Sequence, residues 1–355
     1  MPASPTAPTL TPKDPTVSVI VPARNEEASL ENCLNSLVAQ AGVAFEIIVV
    51  DDHSTDRTRE IASSFSGKGV QIIEAGPLPA GWTGKNNAVT AGAKVARGEW
   101  LLFTDADTIH LPGSLVRSIE EAKRHGAALL SYSPEQVVRS FWEKAVMPVI
   151  FAELAASFRP AQVSDPHSPA AAANGQYILI TREAYDAVGG HVAIAANLLE
   201  DVALARAVKK SGRKIFFRFG GDAVRTRMYR SFAQLREGWT KNLALLFPSP
   251  VRLAALRAIE FVLIVSSFAI AIATALRGHL QPAILAGILC LILYACFLTR
   301  IRRAHFSWDA NLLALFGLPL FSYLLLRSKS AHAHGSVSWK GRKYSDERCL
   351  LATGH

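Results

Sequence analysis

The chain has 355 residues, half of them hydrophobic, and a formal net charge of +9 from 38 Lys+Arg against 29 Asp+Glu. That length holds one large or two modest domains, and the apolar share exceeds that of ordinary soluble proteins, which argues against a wholly soluble chain. The positive balance suits an anionic membrane surface or a phosphorylated substrate. The basic residues form no aromatic-interleaved platform, and many flank apolar segments (Arg300, Arg302, Arg303, Arg327, Lys329), so no nucleic-acid partner is expected.

Residues 1–16 are rich in Pro, Thr and Ala and have no apolar core. They predict a disordered tail and not a signal peptide, which would leave the following domain in the cytoplasm. Val17–Val21 is a β-branched run ended by Pro22, and Asn25–Gln40 then carries helical spacing through Leu30, Cys33, Leu34 and Leu37. The alternation repeats: a strand at Glu46–Val50, a helix at about Asp56–Phe65, a strand at Val70–Glu74, a helix near Asn86–Ala96 and a strand at Trp100–Thr104. Such alternation implies an α/β fold with a doubly wound, mostly parallel sheet. After a less regular stretch containing Pro160, Pro166 and Pro169 come a strand at Gln176–Thr181, a helix opening at Glu200-Asp201 and a strand at Lys214–Phe219.

Residues 17–250 therefore read as one domain and 251–327 as a membrane region, with spans at about 256–276 and 280–299, each long enough for a hydrocarbon core of roughly 30 Å. A third apolar segment, 312–326, is shorter and interrupted at Gly317-Leu-Pro319. With Arg and Lys on both of its flanks it reads as re-entrant or interfacial, and residues 328–355 as a basic tail. The four cysteines have neither paired zinc spacing nor the density of a disulfide scaffold.

Ligands of open α/β sheets sit outside the carboxyl ends of the strands, and here those positions are polar: Ala23-Arg24-Asn25-Glu26-Glu27, Asp51-Asp52-His53-Ser54 and Asp105-Ala106-Asp107. If strand geometry continues, Asp105 and Asp107 point the same way and meet one cation. Their oxygens suit Mg2+ or Mn2+ shared with a diphosphate; the other reading is a solvated turn. Asp51-Asp52 serves either as a helix cap or as an acceptor for a base or ribose. Gly81-Trp-Thr-Gly84-Lys85 places a glycine turn and a lysine ahead of a helix N-terminus, a phosphate-holding arrangement that is not the Walker sequence, and no G-x-G-x-x-G follows the first strand. Glu200-Asp201 reads as charge favourable to the helix dipole or as a catalytic base. Arg225 and Arg227 read equally as surface charge or as a pyrophosphate clamp.

Taken together, Val17–Glu27, Asp51-Asp52, Asp105-Ala-Asp107 and Glu200-Asp201 resemble the ordered signature of glycosyltransferase family 2, whose catalytic domain has the nucleotide-diphospho-sugar (GT-A) fold. Leu78–Lys85, Gly175–Leu179, Gly189–His191, Arg225–Tyr229 and Trp339–Tyr344 further resemble its membrane branch, which includes hopanoid-associated and carotenoid glycosyltransferases. The resemblance implies that Pro22, Arg24, Glu26 and Asp52 line the nucleoside pocket and that Lys85 and Asp105 approach the donor. It also implies that Asp107 holds the metal, with Asp105 beside it, and that Asp201 is the base next to Glu200. The implied reaction is an inverting transfer of one sugar from a UDP- or GDP-sugar to a hopanoid- or carotenoid-like lipid, by a multi-pass inner-membrane enzyme with a cytoplasmic catalytic domain. Processive synthases carry Gln-x-x-Arg-Trp where this chain has Arg225-Thr-Arg-Met-Tyr229, so chain extension is not expected. The alternatives are transfer to a polyprenyl phosphate and a noncatalytic membrane scaffold.

Overall fold

The structure, a computed structural model, describes residues 14–344. The tail expected at 1–16 therefore lies outside the described residues up to residue 13, as do Arg348 and Cys349 of the expected basic tail. The chain divides into two units.

The first unit holds residues 14–137 and 158–227. It opens with β1 (Val17–Ala23), α1 (Leu30–Val38), β2 (Phe45–Asp51), α2 (Thr58–Ser64), β3 (Val70–Glu74) and α3 (Gly84–Val95). Next come β4 (Trp100–Phe103), β5 (Thr108–His110), α4 (Ser114–His125), β6 (Leu129–Ser133) and β7 (Glu135–Gln136). Outside this unit lies α5 (Phe141–Ser157). The first unit resumes with α6 (Pro160–Ser164), β8 (Ile178–Thr181), α7 (Arg182–Ala187), α8 (Glu200–Lys210), β9 (Ile215–Phe219) and β10 (Val224–Thr226).

Seven strands form one sheet in the order β3-β2-β1-β4-β8-β6-β9. The first four are parallel, β8 runs antiparallel to both its neighbours, and β9 is parallel to β6. Alternate side chains enter opposite cores, as strand geometry requires. Val17, Val19 and Val21 meet Leu30, Leu34 and Leu37 of α1 and Leu115 of α4, while Ile20, Ile48 and Val50 meet Val89 of α3 and Leu204 of α8. The mixed, mostly parallel sheet is thus covered on both faces, as the sequence led us to expect. A small second sheet, β5-β10-β7, stands beyond the β4 end. Its strands are two or three residues long, too short for periodicity to reveal.

The second unit holds residues 138–157 and 228–344. It comprises α5, α9 (Phe232–Leu246), α10 (Pro250–Leu276), α11 (Leu280–Ile301), α12 (Trp308–Ala333) and a hairpin of β11 (Val337–Trp339) and β12 (Arg342–Tyr344). Among the described residues three helices are long and apolar enough to cross a membrane: α10, the segment 280–304 and α12. They differ in cover, because the apolar windows of the first two are 11% and 6% buried while that of α12 is 50% buried. α10 and α11 accordingly present side chains such as Phe268 and Leu291 outward, 58% and 70% exposed, as lipid-facing helices do.

α12 packs instead on α5, α9 and α10 and continues without a break through Gly317-Leu-Pro319, so the helix is longer than its apolar segment. Gly317 has a packing role: a Cβ there would stand 1.9 Å from the Ala145 carbonyl oxygen of α5. Gly317→Ala should therefore force the two backbones apart and destabilise this unit by about 2 kcal/mol or more, read as a lowered melting temperature in detergent. Ion pairs add a second tie. Arg257 Nε stands 3.0 Å from Glu153 Oε1, and Glu260 Oε2 receives Arg257 Nη1 and Arg300 Nη2, each at 2.8 Å, joining α5, α10 and α11 through charges that balance one another.

Candidate active site

β1, β2 and β4 are adjacent and parallel, so their carboxyl ends open on one rim. Pro22 is the penultimate residue of β1, and Arg24 follows the strand and donates from Nη1 to the carbonyl oxygens of Asp52 (2.6 Å) and His53 (3.3 Å). The Glu26 amide donates to Thr58 Oγ1 at 2.7 Å, and Ser29 donates to Glu26 Oε2 at 2.9 Å. Asp51 accepts the Ser54 amide at 3.2 Å, a turn role, while Asp52 is buried and its amide donates to Ala23 O at 2.8 Å. The loops after β1 and β2 are thereby cross-tied, bringing Pro22, Arg24, Glu26 and Asp52 to one corner.

Asp105 and Asp107 lie on the rim but not on a strand. β4 ends at Phe103, and a turn closed by the Thr108 amide on Asp105 O (3.1 Å) carries both acids. The extended alternation expected to align them does not apply, because both acids lie on a turn. Its backbone is held firmly, with Ala106 buried in the core, and Thr226 Oγ1 donating to Asp107 O at 3.2 Å.

Lys85, in the first turn of α3, reaches this turn. Thr83 caps α3 by accepting the Asn86 amide, and Asn86 donates to the carbonyls of Ile194, Ala195 and Asn197, pinning the segment that leads into α8. Lys85 Nζ then stands 2.6 Å from Asp105 Oδ1 and 2.7 Å from Glu200 Oε1. Burial works against the ammonium, but the Asp105 and Glu200 carboxylates outweigh it and hold Lys85 well above the ordinary lysine value. One cation therefore joins the acidic turn to the start of α8.

Asp201, the next residue, turns to the opposite neighbour. Its Oδ2 accepts the Gly175 amide at 3.0 Å, and its Oδ1 accepts the Val202 amide at 2.8 Å. Burial, reinforced by the Glu200 charge and opposed by Lys85 and these two amides, raises its carboxyl to about 6. A carboxylate raised in this way is a better proton acceptor than an ordinary aspartate.

Gln176, buried beside Gly175, was not singled out by sequence reasoning. Its carbonyl accepts Thr104 Oγ1 (2.8 Å) and Thr108 Oγ1 (3.4 Å), one on each side of the acidic turn, and its Nε2 donates to Thr226 Oγ1 at 3.4 Å. The threonines flanking both acids are therefore bonded to Gln176, whose neighbour Gly175 holds Asp201. Arg225 and Arg227 part ways with that cluster to different degrees. Arg225, half exposed, pairs with Glu135 across the small sheet at 2.5 Å, whereas Arg227 directly follows Thr226. His191, from the quoted Gly-Gly-His stretch, is buried with Nδ1 3.0 Å from the Tyr185 hydroxyl. Its burial lowers it to about 4, which marks a neutral core residue.

Residues 18–188 match the family model of glycosyl transferase family 2. Over 343 residues the chain is 29% identical to the 4,4'-diaponeurosporenoate glycosyltransferase of Staphylococcus aureus strain USA300, covering 93% of this chain and 88% of that one. In fold it is similar to the mannosyltransferase PcManGT of Pyrobaculum calidifontis, solved with GDP-Man and Mn2+. The TM-score is 0.51 at 16% identity, over 93% of this chain and 88% of that one. The family match and the likeness to a named glycosyltransferase over most of the chain lead to one assignment: the chain is a glycosyltransferase whose residues 18–188 match glycosyl transferase family 2.

Proposed function

We propose that the chain transfers a single sugar, with inversion, from a UDP- or GDP-sugar to a carotenoid-like lipid acceptor. The observation that carries this reading is the Lys85 ammonium shared between Asp105 and Glu200, the residue before Asp201, because it ties the acidic turn to the start of α8, as a donor site with a base beside it requires. The likeness to the diaponeurosporenoate enzyme extends through the membrane helices as well as the sheet, which supports an acceptor drawn from lipid.

The oxygen donors of Asp105 and Asp107 fit a hard divalent cation of the Mg2+ or Mn2+ kind. Among the described residues no third His, Cys, Asp or Glu completes a cage, so the remaining ligands would be phosphate oxygens and water, as befits an ion that arrives with the donor. Such an ion would neutralise charge developing on the departing nucleoside diphosphate. The protein's own groups do the rest. Pro22, Arg24, Glu26 and Asp52 receive the nucleoside, and Lys85, with Arg225 and Arg227 at the edge, offers positive charge to the diphosphate. Asp201 takes the proton of an acceptor hydroxyl as its oxygen attacks the anomeric carbon from the face opposite the leaving group, and Glu200 keeps Lys85 in place.

We further place α10 and α11 as a membrane-crossing hairpin of a multi-pass inner-membrane protein, with α12 lying along the interface and the sheet domain on the cytoplasmic side. The differing cover of these helices and the cluster Arg300, Arg302, Arg303 support this arrangement.

The test is transfer by detergent-purified protein given UDP- and GDP-sugars, a carotenoid-bearing lipid extract, and Mn2+ or Mg2+ against a chelator. A chelator-sensitive glycolipid is expected; folded protein giving no product with any donor would overturn the reading. The acid limb of kcat/KM should fall near pH 6, activity rising as Asp201 loses its proton. A limb near the ordinary aspartate value of about 4 would remove Asp201 from that role.

A further inference from the structure

We infer that Gly175 is a positioning residue for the transfer reaction, orienting Asp201 through its amide and leaving, through its missing side chain, the space in which the site's charged groups meet. The inference rests on the reading of Asp201 as the base. Its amide donates to Asp201 Oδ2 at 3.0 Å, fixing one carboxylate oxygen and leaving the Val202 amide to fix the other. A Cβ built on Gly175 would stand 3.0 Å from Lys85 Nζ, 3.3 Å from Glu200 Oε1 and 3.6 Å from Asp201 Oδ2, so three functional groups converge on the place a side chain would fill.

Glycine is not required here by backbone conformation, since Gly175 is not among the glycines with positive φ. The requirement is for room at the site. The segment is also held against drift: the Asn174 amide donates to Ser131 Oγ at 2.8 Å, the Gln176 amide to Asn174 Oδ1 at 3.0 Å, and Gln176 bonds the threonines flanking the acidic turn. An added methyl group therefore cannot be relieved by moving residue 175. The flexible tip of Lys85 and the carboxylates must give instead, which costs little stability and disturbs geometry where reaction rates are sensitive to fractions of an ångström.

The experiment is Gly175→Ala, measured for kcat, acceptor KM, donor Kd and melting temperature, alone and in an Asp201→Asn background. Gly67→Ala serves as control, because a Cβ there meets nothing within 4 Å. The expected result is a kcat lowered about tenfold or more, a donor Kd weakened by a smaller factor through the displaced Lys85 tip, a melting temperature close to wild type, and a smaller fractional loss when Gly175→Ala is added to Asp201→Asn. A kcat within twofold of wild type overturns the inference, as do equal fractional losses in both backgrounds, a donor Kd weakened as much as kcat falls, or a melting temperature lowered by about 10 °C or more. If Asp201→Asn alone transfers like wild type, the fault lies with the reading of Asp201 and is thereby told apart.

Discussion

Asp201→Asn should bind the nucleotide-sugar as wild type does and transfer it about 10²- to 10⁴-fold more slowly, the usual contribution of a positioned base. The amide keeps one oxygen for either the Gly175 or the Val202 amide, sets its NH2 against the other, and cannot take a proton. Stability separates this outcome from a folding defect, and its sign follows from the raised carboxyl. Because burial disfavours the ionised form and lifts Asp201 to about 6 in the folded protein, its contribution to stability is fully present below the unfolded value of about 4 and is lost as pH rises through 6. The amide carries no such loss. Set against this is one lost hydrogen bond of about 1 kcal/mol, so the variant should melt close to wild type at neutral pH and lower relative to it as pH falls from about 6 to about 4. Single-turnover assays with calorimetric donor titration check the first part, and thermal unfolding across pH checks the second. A transfer rate within tenfold of wild type would instead identify an acceptor that arrives already ionised, as a polyprenyl phosphate does.

The parts of this site that the sequence revealed are those written in local patterns. β1 and β2 are β-branched runs that must be buried on both faces, and a parallel sheet built from them sends Arg24, Asp52 and Asp105 to one rim whatever the details of packing. Asp105 and Asp107 were legible as a pair, but not the backbone that carries them, because β4 stops at Phe103 and both acids lie on the turn before β5. The Lys85–Glu200 contact joins residues remote in sequence and depends on Asn86 holding the segment before α8, an arrangement no spacing rule reports. Gly175 was visible only as part of a resembling stretch, since a glycine required for empty space has no local signature. The grouping of α5 with the apolar helices was equally hidden: it precedes them by some hundred residues, and Gly317, which permits the close approach, looked like a helix interruption.

Asp107→Ala should abolish the metal dependence of donor binding while leaving the lysine bridge intact. Asp105 is bonded to Lys85 at 2.6 Å, so Asp105→Ala removes a metal ligand and at the same time leaves a buried ammonium with one carboxylate partner fewer. Its effects on donor, metal and stability would be entangled. Asp107→Ala leaves Lys85 between Asp105 and Glu200, and the turn itself survives, because its closing bonds run through the backbone of residues 105, 107 and 108 and the hydroxyl of Thr226. The measurement is donor affinity by calorimetry with Mn2+, with Mg2+ and with a chelator. Wild type should bind about a hundredfold more tightly with metal, roughly 3 kcal/mol, and the variant should show one weak affinity in all three conditions. A variant that retains the metal-dependent gain would move the cation away from Asp107. A wild type indifferent to metal would leave Lys85 as the principal charge facing the diphosphate, in which case Lys85→Met should remove most donor affinity where Asp107→Ala removes none.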